Sequence, residues 1–113
     1  MAITSAICNS FKQEILEAEH NFTASSGNTF NLALYDSDAT LNKSTTVYTT
    51  SEELATTGGY TAKGNALTSV TPTLDSDTAV CDFSNTSWTS ASFTARGCLI
   101  FNDSHSSDAA VCA

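Results

Sequence analysis

Residues 91–102 read ASFTARGCLIFN, and as an extended chain they place apolar groups on both faces. Phe93, Ala95, Gly97, Leu99 and Phe101 share one side; Thr94, Arg96, Cys98 and Ile100 share the other. A strand apolar on both sides belongs in the middle of a sheet that is covered above and below. The stretch is therefore predicted to be a central strand. Its one charge, Arg96, is the only arginine in the chain and needs a partner, for which Asp82 on the preceding predicted strand is the candidate.

The rest of the sequence suits such a sheet. Ser and Thr dominate the polar residues, charged residues make up only 14%, and proline occurs once. With Val, Tyr, Phe and Ile scattered among them, these residues fit a pleated, half-buried surface better than a helix. At 113 residues the chain is expected to be a single domain, 1–113, large enough to build its core without a disulfide or a metal. The fold class is mainly β: a small antiparallel β-sandwich or barrel with one N-terminal α-helix.

That helix is expected over about 5–19, where Ile7, Phe11 and Ile15 recur every four residues, Lys12, Gln13, Glu14 and Glu17 fill the other face, and Thr4 or Ser5 can cap the start. Strands are expected over about 29–35, where Phe30, Leu32 and Leu34 alternate with smaller or polar neighbours, and over about 78–84, 91–102 and 109–113. The strands at 78–84 and 91–102 would form a meander across SNTSWTS, with AAVCA as a last strand whose edge could pair with a partner chain. Residues 36–74 carry weaker, turn-rich signals.

Twelve carboxylates against Lys12, Lys43, Lys63 and Arg96 give a net charge of -8 and no basic patch. Nucleic acid and anionic membranes both require clustered cations, so neither is expected as a partner. The N-terminus lacks the basic and then apolar pattern of a secretory signal, which predicts synthesis in the cytoplasm. In a reducing compartment Cys8, Cys81, Cys98 and Cys112 read as small hydrophobes; a Cys98–Cys112 disulfide requires an oxidising medium.

Each candidate for chemistry lacks a part. Arg96 two residues from Cys98 could lower a thiol pKa, but the only histidines, His20 and His105, lie on other elements. Asp36-Ser37-Asp38 and Asp75-Ser76-Asp77 could open calcium loops, yet Leu41 and Val80 stand where the turn glycine would fall, so side-chain-to-backbone turns are expected instead. Gly59 to Gly64 has P-loop spacing without the Gly-Lys-Ser/Thr ending. Cys98, His105 and Cys112 match no zinc pattern, and the Ser, His and Asp of DSHSSD are too close in sequence for a triad. Glu14 and Glu17 read as solvated helix residues. No catalytic, cofactor-binding or metal residue is predicted, and no enzyme activity.

The segments CNSFKQEILEAEHNF, FNLALYDSDATLN, TVYTTSEEL, GGYTAKG and CDFSNTSWTSASFTARGCLIFN, in this order, resemble a family of small virion proteins of tailed bacteriophages, especially phages of marine bacteria and cyanobacteria. The likeness spans nearly the whole chain, and its most specific parts are Asn21-Phe22, LALY, and W-x-x-A-x-F-T-A-R-G from Trp88 to Gly97. Lys63 departs from the glycine common among relatives, and the chain stops at Ala113 inside an apolar run where a further segment is expected. The resemblance implies a structural role in the virion with no catalytic motif. An anionic protein is repelled by packaged DNA. The leading expectation is therefore a decoration or cement protein on the outer capsid, bound to the major capsid protein as a monomer or in symmetric clusters. The alternative is a head-to-tail or tail component with a host-surface or carbohydrate-binding role, stacking on Trp88, Tyr48 or Tyr60.

Overall fold

A computed structural model describes residues 2–113. In chain order it contains α1 (Asn9–Leu16), β1 (Phe30–Tyr35), β2 (Asn65–Ala66), β3 (Ser69–Asp75), β4 (Thr78–Phe83), β5 (Gly97–Asn102) and β6 (Ala109–Cys112). The fold is mainly β, with two antiparallel sheets and one short N-terminal helix, as the composition predicts. Four strands form the main sheet in the order β2-β1-β5-β6, and β3 pairs with β4 in a separate two-stranded arm. Among the described residues no helix is long and apolar enough to cross a membrane.

β5 is a central strand. It pairs along its whole length with β1, from Phe30↔Asn102 to Tyr35↔Gly97, and on its other side with β6. The alternation read from the sequence holds here. Leu99 and Phe101 are fully buried on one face with Ala33, Tyr35 and Ala110, under Cys8, Ala39 and Leu41. On the opposite face Cys98 and Ile100 are half-buried, while Phe30 stacks on Phe22 at 4.3 Å and packs against Phe83.

The strand does not begin at residue 91. Arg96 N–H still reaches the end of β1, at Tyr35 O (2.8 Å), but upstream of it the backbone leaves the sheet, and Ser92 N–H donates to Gly58 O at 2.7 Å. Phe93 joins a cluster with Tyr60 and Trp88. The expected meander is also replaced, because β4 pairs with β3 and not with β5. Arg96, just ahead of β5, and Asp82, on β4, consequently belong to different sheets and form no ion pair; both are exposed, and the Asp82 carboxylate accepts from the Phe83 amide. Exposure removes the need for a partner that a buried arginine would have.

The helix is shorter than its periodicity suggests. Residues 3–8 are drawn into bridges, Ile3 beside Leu41 and Ile7 opposite Cys112, so the helix starts after Cys8, an extended residue whose side chain makes no cap bond. At the other end Ala18 takes a φ of 60°, which breaks the turn. Its apolar stripe reaches the core only at Phe11, which packs half-buried against it: no residue of α1 is buried, Ile15 is 39% exposed, and Ile7, ahead of the helix, 48%.

Both edges of the terminal strand are occupied within the chain. Ala6 and Ala113 exchange two 2.9 Å backbone bonds, Cys8 N–H donates to Val111 O, and Ala110 N–H donates to Thr46 O. AAVCA therefore offers no free edge to a partner, contrary to the sequence-based expectation.

Candidate functional site

Two hydrogen-bonded clusters and one surface gather most of the residues with chemical potential. The first is built around Asn102, which the end of β5 buries completely. Asn21 N–H donates to Asn28 Oδ1 at 2.8 Å, which identifies that atom as the oxygen. The Asn102 atom 3.0 Å from it is then the amide nitrogen, with Asn102 Oδ1 accepting from Ser104 N–H. The same nitrogen lies 3.0 Å from His20 Nδ1, so Nδ1 accepts and the ring proton sits on Nε2, 2.9 Å from Glu14 Oε1. His105 is arranged alike: Nδ1 accepts from Ser107 N–H at 3.1 Å and Nε2 donates to Glu19 Oε1 at 2.7 Å, a bond that holds the Glu19 carboxyl below its usual range. The two imidazoles stack with centroids 6.0 Å apart.

Glu14 thus differs from its sequence reading as a solvated helix residue. It is half-buried and ties α1 to the histidine past its end. Ligand atoms of Glu14, Glu19 and His105 lie within 4.8 Å of one another, which is close enough to hold a cation. Yet metal ligation at His105 Nε2 needs the ring proton on Nδ1, where it would oppose the Ser107 N–H. As built, the cluster is a hydrogen-bonded clasp joining the helix end to the β5–β6 loop. Phe11, Phe22 and Phe30 pack around the His20 ring.

The second cluster centres on Glu53. Its carboxylate accepts from the Tyr48 hydroxyl, from the Tyr60 hydroxyl at 2.6 Å and from Lys63 N–H at 2.7 Å. Tyr60 also accepts from Leu34 N–H, and Tyr35 donates to Thr49 O at 2.6 Å. Burial first, and the neighbouring Glu53 next, push the Tyr48 and Tyr60 phenols well above the ordinary tyrosine range. Lys63 adopts a φ of 73°, where glycine is favoured, and its Nζ bridges Asp103 and Asp108 at 2.9 Å each. Gly64 follows at a φ of 68°; an added Cβ there would meet Leu32 O at 1.8 Å. These bonds pin the 48–64 loops to β1 and leave the phenols committed. Of the aromatics considered for carbohydrate stacking, Tyr60 is buried and Tyr48 and Trp88 are half-buried.

The Asp-Ser-Asp doublets form turns. Asp36 Oδ1 accepts from Asp38 N–H at 2.9 Å, and Ser76 and Asp77 are the two-residue loop between β3 and β4. Glu52 approaches Asp36 and Asp38 to complete an acidic trio. The triad-like DSHSSD is split among partners: His105 serves Glu19 and Asp108 serves Lys63. Cys98 and Cys112 share one face of adjacent strands, whereas His105 belongs to the clasp.

All four cysteines are free, and none is an activated thiol. Burial pushes Cys8 up to about 11, with Cys112 and Glu14 adding to it, and burial raises Cys98, Cys112 and Cys81 as well. Burial is the cause of the Cys98 shift, and the exposed Arg96 does not offset it. Cys8 is buried, as expected of a small hydrophobe, but Cys81 is exposed on the arm.

The remaining feature is a surface. Ile7, Phe11, Ile15, Phe22, Cys81, Phe83, Ile100, Val111 and Cys112 line an open groove of 370 Å³ between α1, the base of the arm and one face of the main sheet. Beyond it Leu16 is 88% and Leu74 77% exposed, and Val70 and Val80 are also exposed. Single exposed apolar residues are ordinary, but a groove with apolar neighbours on helix and arm is a typical contact surface. Comparison of the chain with known protein families, characterised proteins and solved structures finds no match.

Proposed function

We infer that this protein is a structural component of a tailed-bacteriophage virion: a decoration or cement protein that binds the major capsid protein on the outer face of the shell and performs no catalysis. The observation that carries the reading is the apolar groove beside an arm whose two strands are exposed over nearly their whole length. A two-stranded ribbon is marginal in water by itself and gains most from an external contact. The residue pattern from Trp88 to Gly97 that resembles phage virion proteins supports the same role, as does the net charge of -8, which favours the outside of a DNA-filled shell. By binding the assembled lattice in preference to free subunits, such a protein stabilises the shell through mass action. Copies would cluster around the symmetry axes of the lattice.

Quantitative mass spectrometry of purified particles tests this reading. A shell protein is present on the order of hundreds of copies per particle, following capsid symmetry. A count no larger than a single ring would transfer the protein to the head-to-tail junction or the tail, and absence from particles would end the virion reading. The tail reading with carbohydrate stacking draws less support, since Tyr48 and Tyr60 are tied to Glu53.

A further inference from the structure

The two edges of the arm differ. β3 contains Pro72, which has no N–H, and a bulge between Val70 and Thr73. Both features spoil a strand edge for further pairing. β4 has neither. Ser84 N–H donates to Thr68 O at 2.9 Å, so Ser84 turns its backbone toward the β3 side. By the alternation of an antiparallel ladder, Thr78, Val80 and Asp82 turn the same way, and Ala79, Cys81 and Phe83 turn outward. The Phe83 N–H is taken by the Asp82 carboxylate at 2.7 Å. Among the described residues Ala79 and Cys81 have no backbone partner on the outward side, which leaves a short edge open.

This edge adjoins the groove. Cys81 and Phe83 line it from β4, so a strand added beside β4 would set every second side chain on the groove face, toward Ile7, Phe11 and Ile15. The charge around it has one sign. From residue 64 to 95 there is no Lys, Arg or His, while Asp75, Asp77 and Asp82 lie on the arm, and among the described residues no cation lines the groove. A second copy of this chain, itself at -8, is a poor occupant on electrostatic grounds.

We propose that the open edge of β4 and the adjoining groove bind an extended segment of the partner protein by strand addition, the segment carrying apolar side chains toward the groove and Lys or Arg toward the arm's aspartates. The proposal rests on the reading that the chain works by docking. Backbone bonds at Ala79 and Cys81 supply the register, the groove supplies apolar burial, and the aspartates select against acidic segments.

The test uses the full chain labelled with nitrogen-15 and two short capped peptides, one alternating valine with lysine and one alternating valine with glutamate. The lysine peptide is expected to shift the amides of Ala79 and Cys81, slow their hydrogen exchange, and bind more weakly as salt rises. The glutamate peptide is expected to bind at least about tenfold more weakly. Cys81→Pro removes an outward donor without touching the β3–β4 ladder, and Ile15→Lys puts a like charge in the groove at an exposed helix position; each should weaken the lysine peptide about tenfold. Binding that spares Ala79 and Cys81, equal binding of both peptides, or no binding at all would overturn the proposal. So would protection of the same amides by concentration-dependent self-association, which would make the occupant a second copy. Peptide failure with hundreds of copies per particle removes strand addition and leaves the capsid reading; peptide binding with few copies does the reverse.

Discussion

The main sheet and the β3–β4 arm are made from similar residues and end in opposite situations. β5 lies between two strands, and Leu99, Phe101 and Asn102 are fully buried within it. β4 has one neighbour, and of its six residues only Phe83, at the base, is partly covered. The arm's attachments are confined to that base, where Phe83 packs against Phe22 and Phe30 and Thr71 Oγ1 accepts from Ala24 N–H. Stability is concentrated in the sheet, and the arm is free to be used at an interface.

The largest expected effect is a contrast between the two regions. Phe101→Ala empties a fully buried site stacked on Tyr48 and should cost about 3–5 kcal/mol in urea unfolding, whereas Leu74→Ala, at an exposed arm position, should fall within about 0.5 kcal/mol of the wild type. Comparable losses at both positions would mean that the arm is integral to the fold.

Next comes the clasp. Asn102→Ala leaves the buried His20 Nδ1 without its donor and removes the acceptor of Ser104 N–H, a loss of about 2–3 kcal/mol by the same measurement. A change near zero would show that the clasp is incidental to the sheet beside it.

Alkaline pH gives a further test of the sheet core. The Cys8 thiol is raised from 9.0 to about 11, and the Tyr35 and Tyr60 phenols are raised by burial. The unfolded chain therefore loses these protons first and binds fewer than the folded chain, so unfolding free energy falls as pH rises, beginning near 9. Urea midpoints measured from pH 8 to 11 should decline, and Cys8→Ala should flatten the part between about 9 and 11. A flat profile in the wild type would mean that these groups are solvated.

The smallest effect is at Lys63. Replacing it with glycine removes two partly exposed ion pairs, worth about 0–1 kcal/mol, and relieves a positive φ worth about as much. Lys63→Gly should leave the midpoint nearly unchanged. A clear loss would make the contacts with Asp103 and Asp108 structurally important.

Much of the sheet was legible. Alternation marked β1, β4, the buried half of β5 and β6 because side chains on a strand sort by parity whatever lies next to it. β3 was missed because SVTPTLD contains a proline, which reads as a breaker; here it occupies an edge strand, where a missing N–H is tolerated. The helix was overextended because the 3–8 segment has helical spacing but pairs with distant chain, a choice that local periodicity does not contain. His20 and Glu14 looked unrelated because the clasp depends on Asn102, more than eighty residues away in the chain.

By itself, then, the sequence determined the class of fold, the two-faced character of residues 97–102 and the acidic surface, since each follows from side-chain type and spacing. Only the tertiary structure decided which strands are neighbours: that β4 leaves the meander for β3, that AAVCA is closed on both edges, and that Arg96 stands in water apart from Asp82. The physical reason is that parity is a local property of the backbone, whereas pairing is settled by competition among all strands for the same backbone hydrogen bonds.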